Sequence, residues 1–226
     1  LGTTGLTGSS SAQLAIGQGS TLTLSQSASS SYAGSVSGAG GLTKVGDDTL
    51  TLAGAAGSFD LSGALVINQA TVALDGAGIL ATSQTVVVNN GVVGDAVGTL
   101  ALVRNATLDV NGAVNTQQMN LATNAHMTVA PGAAVTATSA SLADAAQLNL
   151  SGMLRTTTLS LTSSGTTPDT VSTVHLGDAN NPSTLGALIA STTVISGGAI
   201  TGNGMITGDV RFAGHSWLMP AIHPAC

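Results

Sequence analysis

Four histidines, one cysteine and ten aspartates are the residues of this 226-residue chain best equipped to hold a metal ion, move a proton or attack an electrophile. A zinc site gathers three or four His, Cys or carboxylate ligands. His126 and His175 stand apart, whereas His215, His223 and Cys226 share the C-terminal end. That group reads as exposed polar residues rather than as a ligand set. Polysaccharide-cleaving enzymes need paired carboxylates at a set separation. Asp60, Asp75 and Asp109 are spread singly as candidates to line up at corners, and the one adjacent pair, Asp47-Asp48, reads as a solvated corner ahead of a strand. Sugar sites also use aromatic platforms, and aromatic residues make up only 2% of the chain. Gly34-Ser35-Val36-Ser37-Gly38 fits the G-x-S-x-G nucleophile elbow only crudely, with Val36 at the central position. That motif works at a strand-to-helix turn, and here it lies in Gly/Ser-rich sequence with no helical pattern after it. No catalytic, metal-binding or cofactor-binding residue is therefore expected, and the chain is read as a non-enzyme without a cofactor.

Charge excludes further classes. Only 6% of residues are charged, against roughly 25% in average soluble domains. Four Lys and Arg on a chain of net charge −6 cannot neutralise a row of phosphates, so nucleic acid is not expected as a partner. Glu is absent and Lys44 is the only lysine. The charged helix formers are thus nearly missing, which argues against a helical bundle. A hydrophobic content of 43% argues against disorder. No run of about eighteen apolar residues is present, so no membrane span is expected. Leu1-Gly2-Thr3-Thr4 lacks the basic and apolar segments of a signal peptide. The hydrophobic residues are mostly Ala, Val, Leu and Ile, so the core must be thin enough for small aliphatic side chains to fill it.

The elements that carry these residues follow from alternation. Thr21-Leu22-Thr23-Leu24, Thr49-Leu50-Thr51-Leu52, Thr71-Val72-Ala73-Leu74, Thr99-Leu100-Ala101-Leu102, Gln147-Leu148-Asn149-Leu150 and Thr158-Leu159-Ser160-Leu161 each put an aliphatic residue at every second position. Such two-residue periodicity predicts half-buried strands. Between them lie Asp75-Gly76, Asn89-Asn90-Gly91, Asn111-Gly112, Pro131-Gly132 and Ser151-Gly152, residues suited to turns. Leu50 to Val72 is 22 residues and Met127 to Leu148 is 21, while the chain turns every 6 to 11 residues. Periods of this size indicate solenoids. The prediction is an all-β parallel β-helix, a β-solenoid with about three short strands and three corners per winding. Inward positions would form ladders of Val, Leu, Ile, Ala and Met. Thr-x-Thr pairs at 21/23, 49/51, 136/138 and 156/158 are expected on outward strand positions. An antiparallel sandwich is the competing architecture, with Asn90-Gly91 and Asn111-Gly112 as hairpin turns.

Two segments carry a family resemblance. Residues 38–54, Gly-Ala-Gly-Gly-Leu-Thr-Lys-Val-Gly-Asp-Asp-Thr-Leu-Thr-Leu-Ala-Gly, resemble the passenger-associated transport repeat of bacterial autotransporter passenger domains, which runs G-x-G-G-L-x-K-x-G-x-G-T-L-x-L-x-G. Asp48 stands where that pattern has Gly. Residues 200–210, Ile-Thr-Gly-Asn-Gly-Met-Ile-Thr-Gly-Asp-Val, are similar to the G-x-G-x-I-x-G-x-V winding of the same proteins, and Trp217-Leu218-Met219-Pro220-Ala221-Ile222-His223-Pro224 resembles their L-x-P-G-x-x-P segment, with Ala221 in place of the glycine. The resemblance implies a right-handed β-helix exported through the outer membrane of a Gram-negative bacterium. It also implies an adhesin or biofilm protein, displayed on the surface or released. An aromatic-girdled translocator barrel is not encoded in these 226 residues.

Residues 1–226 are read as one β-solenoid domain, in which 212–226 form a C-terminal cap or docking tail. Cys226 and Trp217 are the candidate assembly or cross-link residues, Cys226 being otherwise an incidental thiol. The expected function is extracellular and structural: adhesion, self-association or biofilm matrix formation. The expected partners are further copies of the chain and cell-surface glycans or matrix. The alternatives are a subunit of an end-to-end filament or sheath fibre, and a carbohydrate-binding or carbohydrate-cleaving β-helix.

Overall fold

Threonine–aliphatic alternation becomes strand throughout the described residues. The computed structural model describes residues 2–3, 5–46, 48–53, 59–61, 65–67, 71–74, 79–82, 86–88, 99–102, 107–163, 171–178, 181 and 183–220. Among these, β1 (Gly2–Thr3) precedes four windings of three short strands. They are β2 (Gln13–Ala15), β3 (Thr21–Gln26) and β4 (Ser30–Tyr32); β5 (Ser35–Gly38), β6 (Gly41–Val45) and β7 (Leu50–Leu52); β8 (Phe59–Leu61), β9 (Leu65–Ile67) and β10 (Thr71–Leu74); and β11 (Ile79–Thr82), β12 (Val86–Val88) and β13 (Thr99–Leu102). Later windings have one short strand and one long one: β14 (Thr107–Val110) with β15 (Ala113–Leu121), β16 (His126–Val129) with β17 (Ala134–Ala143), and β18 (Gln147–Leu150) with β19 (Met153–Thr162). β20 (Ser172–Leu176) with β21 (Gly186–Ser196), β22 (Gly198–Gly202) with β23 (Gly204–Ala213), and finally β24 (Trp217–Pro220) complete the series.

Every pairing between these strands is parallel and joins one winding to the next. The chain is a parallel β-helix, and the antiparallel sandwich is excluded. β2, β5, β8, β11, β14, β16, β18, β20, β22 and β24 form one ten-stranded face. The other two faces are separate ladders at first, β3–β6–β9–β12 and β4–β7–β10–β13. They merge in β15, whose first half pairs with β12 (Val86↔Val114) and whose second half pairs with β13 (Thr99↔Gln118). The registers Leu50↔Val72 and Met127↔Leu148 carry the 22- and 21-residue periods of the sequence into space.

The interior is a set of aliphatic columns. Leu108, Met127, Leu148, Val174 and Ile200 stack on one face, and Leu121, Leu142, Leu161 and Ile195 on another, all fully buried. Burying each such side chain contributes roughly 1.5–3 kcal/mol. Tyr32 is the aromatic exception among the described residues, at 4% exposure. It fits because Gly8 and Gly34 lie against its ring, where a Cβ would come within 2.5 and 2.8 Å of ring carbons. Burial pushes the Tyr32 phenol above its usual pKa.

The long strands differ from the expected three-strand winding because the corner between two faces is a bend without a break. At this bend the two-residue alternation slips. Thr116 and Thr156 point inward, each followed by two residues that stay out of the core. Thr156 is therefore 6% exposed, and the 156/158 pair is not the outward pair that alternation predicts. At the bend each inward hydroxyl finds a backbone carbonyl to bond. Thr116 Oγ1 donates to Gln118 O at 2.8 Å, and Thr156 Oγ1 lies 2.9 Å from Thr158 O and 3.2 Å from Thr138 O. Ala137 and Ala190 fill the same column in neighbouring rungs, so the bend forms without a hydroxyl. Thr156→Val should accordingly leave the fold intact and cost about 1–2 kcal/mol, read from the urea unfolding midpoint.

Among the described residues of 38–53, Lys44 belongs to the core. This side chain points inward between Leu24 and Ile67 in register and is 0% exposed. Its Nζ donates to Val45 O and Gly46 O, both at 3.0 Å. Lys44 is thus a core residue whose ammonium caps the turn that follows it.

Candidate functional site

Outward side chains of the ten-stranded face are tied to their neighbours along the axis. Asn149 Nδ2 and His126 Nε2 are 2.9 Å apart. His175 Nδ1 and Thr201 Oγ1 are 2.9 Å apart. A groove of about 730 Å³ passes Asn149, His175, Asp178 and Met219 on this face. Asp60 and Asp109 share one column of the face but are separated by Ala81 in the rung between them. Asp47 and Asp75 lie outside the described residues. Among the described residues no group of three or more His, Cys, Asp or Glu is close enough to hold a metal ion.

The other named residues fall at the C-terminal windings. Trp217 opens β24, pairs in register with Ala199 and is half-buried. Ser216 ties this strand down, its Oγ lying 2.8 Å from Ile195 O and 2.7 Å from Ala213 O. Phe212 lies near the end of β23, and His215 is exposed in the following turn. Up to Pro220 the segment 212–226 is therefore strand and turn within the parallel ladders; Cys226 and His223 lie outside the described residues. Ser35, from the elbow-like motif, begins β5, and no helix is present among the described residues.

The second groove follows the bend of the long strands and has a volume of about 700 Å³. One wall is a column with one residue from each of five rungs: Asn115, Thr136, Arg155, Ile189 and Thr207. The other comes from the residues at the bend itself, Gln117, Thr138, Thr157 and Ser191. Thr138 Oγ1 donates to Gln117 Oε1 at 2.9 Å, so adjacent rungs lock one another's side chains. At its far end Gly208 stands opposite Ala190 and Ser191, where the register between β21 and β23 shifts. Arg155 is the single charged residue of the lining, and its guanidinium forms no ion pair with a described residue.

Nothing in the sequence reading assigned this groove. The signal was present as polar residues two apart that recur about every twenty residues: Asn115/Gln117, Thr136/Thr138 and Arg155/Thr157. Recognising it requires knowing that these pairs stack across a bend. On comparison with known proteins, the chain matches no family model, no curated protein and no solved structure.

Proposed function

We propose that this chain is a non-catalytic structural β-solenoid of the cell surface or extracellular space, acting in adhesion, self-association or matrix formation. The observation that carries this reading is the pairing of buried aliphatic columns with outward rows of neutral polar side chains that bond from rung to rung. Thr138 to Gln117 is one such bond, and Ser141 Oγ to Asn120 Oδ1 at 2.8 Å is another. Such faces are stiff, wettable and repetitive, which suits many weak contacts over a long surface better than one deep pocket. The resemblance of residues 38–54 and 200–210 to passenger repeats supports a setting outside a Gram-negative bacterium.

A second reading, a subunit joined end to end, is favoured by the last rung. Phe212 and Leu218 occupy inward columns beyond Ile195 and Ile200, yet each is 51% exposed. Among the described strands, β23 pairs only with β21 and β24 only with β22. Open parallel edges with apolar ends pair readily with another chain.

Electron microscopy and bead clumping test both readings. Beads coated with the protein should clump with one another, and free protein should form lateral bundles. Filaments whose repeat is one chain length would favour the end-to-end subunit. Dispersed monomers at high concentration, with beads that neither clump nor adhere to bacterial cells, would reject both. Release of reducing sugars from a bacterial polysaccharide would replace them with a catalytic role.

A further inference from the structure

We propose that the groove along the bend of β15, β17, β19, β21 and β23 binds a single extended chain of an acidic, uronate-containing polysaccharide, with one sugar carboxylate held by Arg155. This inference rests on the reading that the outward faces make the protein's contacts, and it names the partner of one of them.

Three features of the groove select this ligand. The first is its repeat. Each rung contributes one residue to each wall, and rungs of a parallel sheet are about 4.8 Å apart. Five rungs therefore span about 19 Å, and an extended 1,4-linked pyranose chain advances by nearly one rung per sugar. A polymer laid along the helix axis would meet the same kind of side chain at each unit.

The second is the lining chemistry. Hydroxyls of Thr136, Thr138 and Ser191 and amides of Asn115 and Gln117 both donate and accept. Sugar hydroxyls need that mixture. The threonine methyls and Ile189 supply apolar contacts for the C–H face of a pyranose where other sugar sites use an aromatic ring.

The third is charge. On a chain of net charge −6, the only charged side chain lining the groove is an arginine with no described ion-pair partner. A guanidinium matches one carboxylate with two parallel hydrogen bonds. Asp209 follows Gly208 on the last rung and is not part of the lining. Its charge would repel an anion there, so the bound carboxylate belongs at the middle rungs, β17 to β21.

The test is calorimetric titration of the intact chain at low salt with an oligogalacturonide of about five sugars, matched to the length of the groove. A cello-oligosaccharide of the same length serves as the neutral probe. The oligogalacturonide should bind, more weakly as salt is raised. Arg155→Gln should weaken it about tenfold, the effect of losing one charge-assisted contact, and Arg155→Lys should fall between. Arg211→Gln, which lies outside the groove, should bind as the parent does. Unchanged circular dichroism confirms that each variant is folded. The proposal is overturned if the oligogalacturonide does not bind, if Arg155→Gln binds it equally well, or if the neutral probe binds as tightly. Each of those results leaves bead clumping untouched, so the scaffold role stands or falls separately.

Discussion

Gly46→Ala is expected to destabilise the chain by about 4 kcal/mol or more, at the upper end of what one methyl group can do. Gly46 sits at φ +89°, in the left-handed region, at the turn that ends β6. A Cβ here would stand 2.1 Å from the carbonyl oxygen of Gln26 in the rung below. That oxygen belongs to the backbone, so relief requires the two rungs to separate and gives up ladder hydrogen bonds on both sides. Gly132→Ala isolates the conformational part of the cost. Gly132 has φ +83°, but no atom lies within 4 Å of its added Cβ, so the change should cost only about 1 kcal/mol. Windings of a solenoid touch only their neighbours, and the loss should therefore appear first as faster amide exchange at Leu22, Leu24 and Leu42. Equal unfolding midpoints for the two variants would show that the rungs around Gly46 are not packed this closely.

The spacing of alternating segments made much of this fold legible, because in a parallel β-helix the sequence period is the register. Leu50 and Val72, or Met127 and Leu148, are partners because each lies one winding beyond the other. Local alternation could not reveal how two of the three faces join. At Thr116 and Thr156 the backbone bends inside a strand, and the parity of inward and outward positions changes there without a Gly or Pro to mark it. The aromatic-poor composition likewise hid Tyr32. Its space comes from Gly8, more than twenty residues earlier, and from Gly34 beside it.

The candidate site was less legible for a related reason. Catalytic and metal motifs place several chemically distinctive residues close in sequence or at known spacings. The groove instead collects one or two ordinary polar residues from each of five windings, and only the stacking brings Asn115, Thr136 and Arg155 into one wall. Residues that looked distinctive in the sequence are dispersed by the same stacking. His126 and His175 hold rung partners, and Asp60 and Asp109 are kept apart by Ala81.

Lys44 is expected to matter for its volume as well as its charge. It is the largest fully buried side chain of the described core, and its ammonium is held by the carbonyls of Val45 and Gly46. Lys44→Ala removes three methylenes and the ammonium and leaves both carbonyls short of a donor; it should cost about 3–5 kcal/mol. Lys44→Met keeps an unbranched apolar side chain only one atom shorter, and it also removes the need to bury a charge. An apolar replacement of similar volume often offsets the loss of a buried ion, so this variant should cost only about 1–2 kcal/mol, chiefly for the carbonyls. Urea unfolding of the two variants separates the roles. Alanine well below methionine assigns Lys44 to packing, with the ammonium as the device that allows a long side chain to end at a polar turn. Equal, large losses would assign it to the hydrogen bonds. A Lys44→Ala protein as stable as the parent would mean that the side chain reaches water and does not fill the core. Because Lys44 and Gly46 share one turn, the double variant should lose less than the two single losses added together.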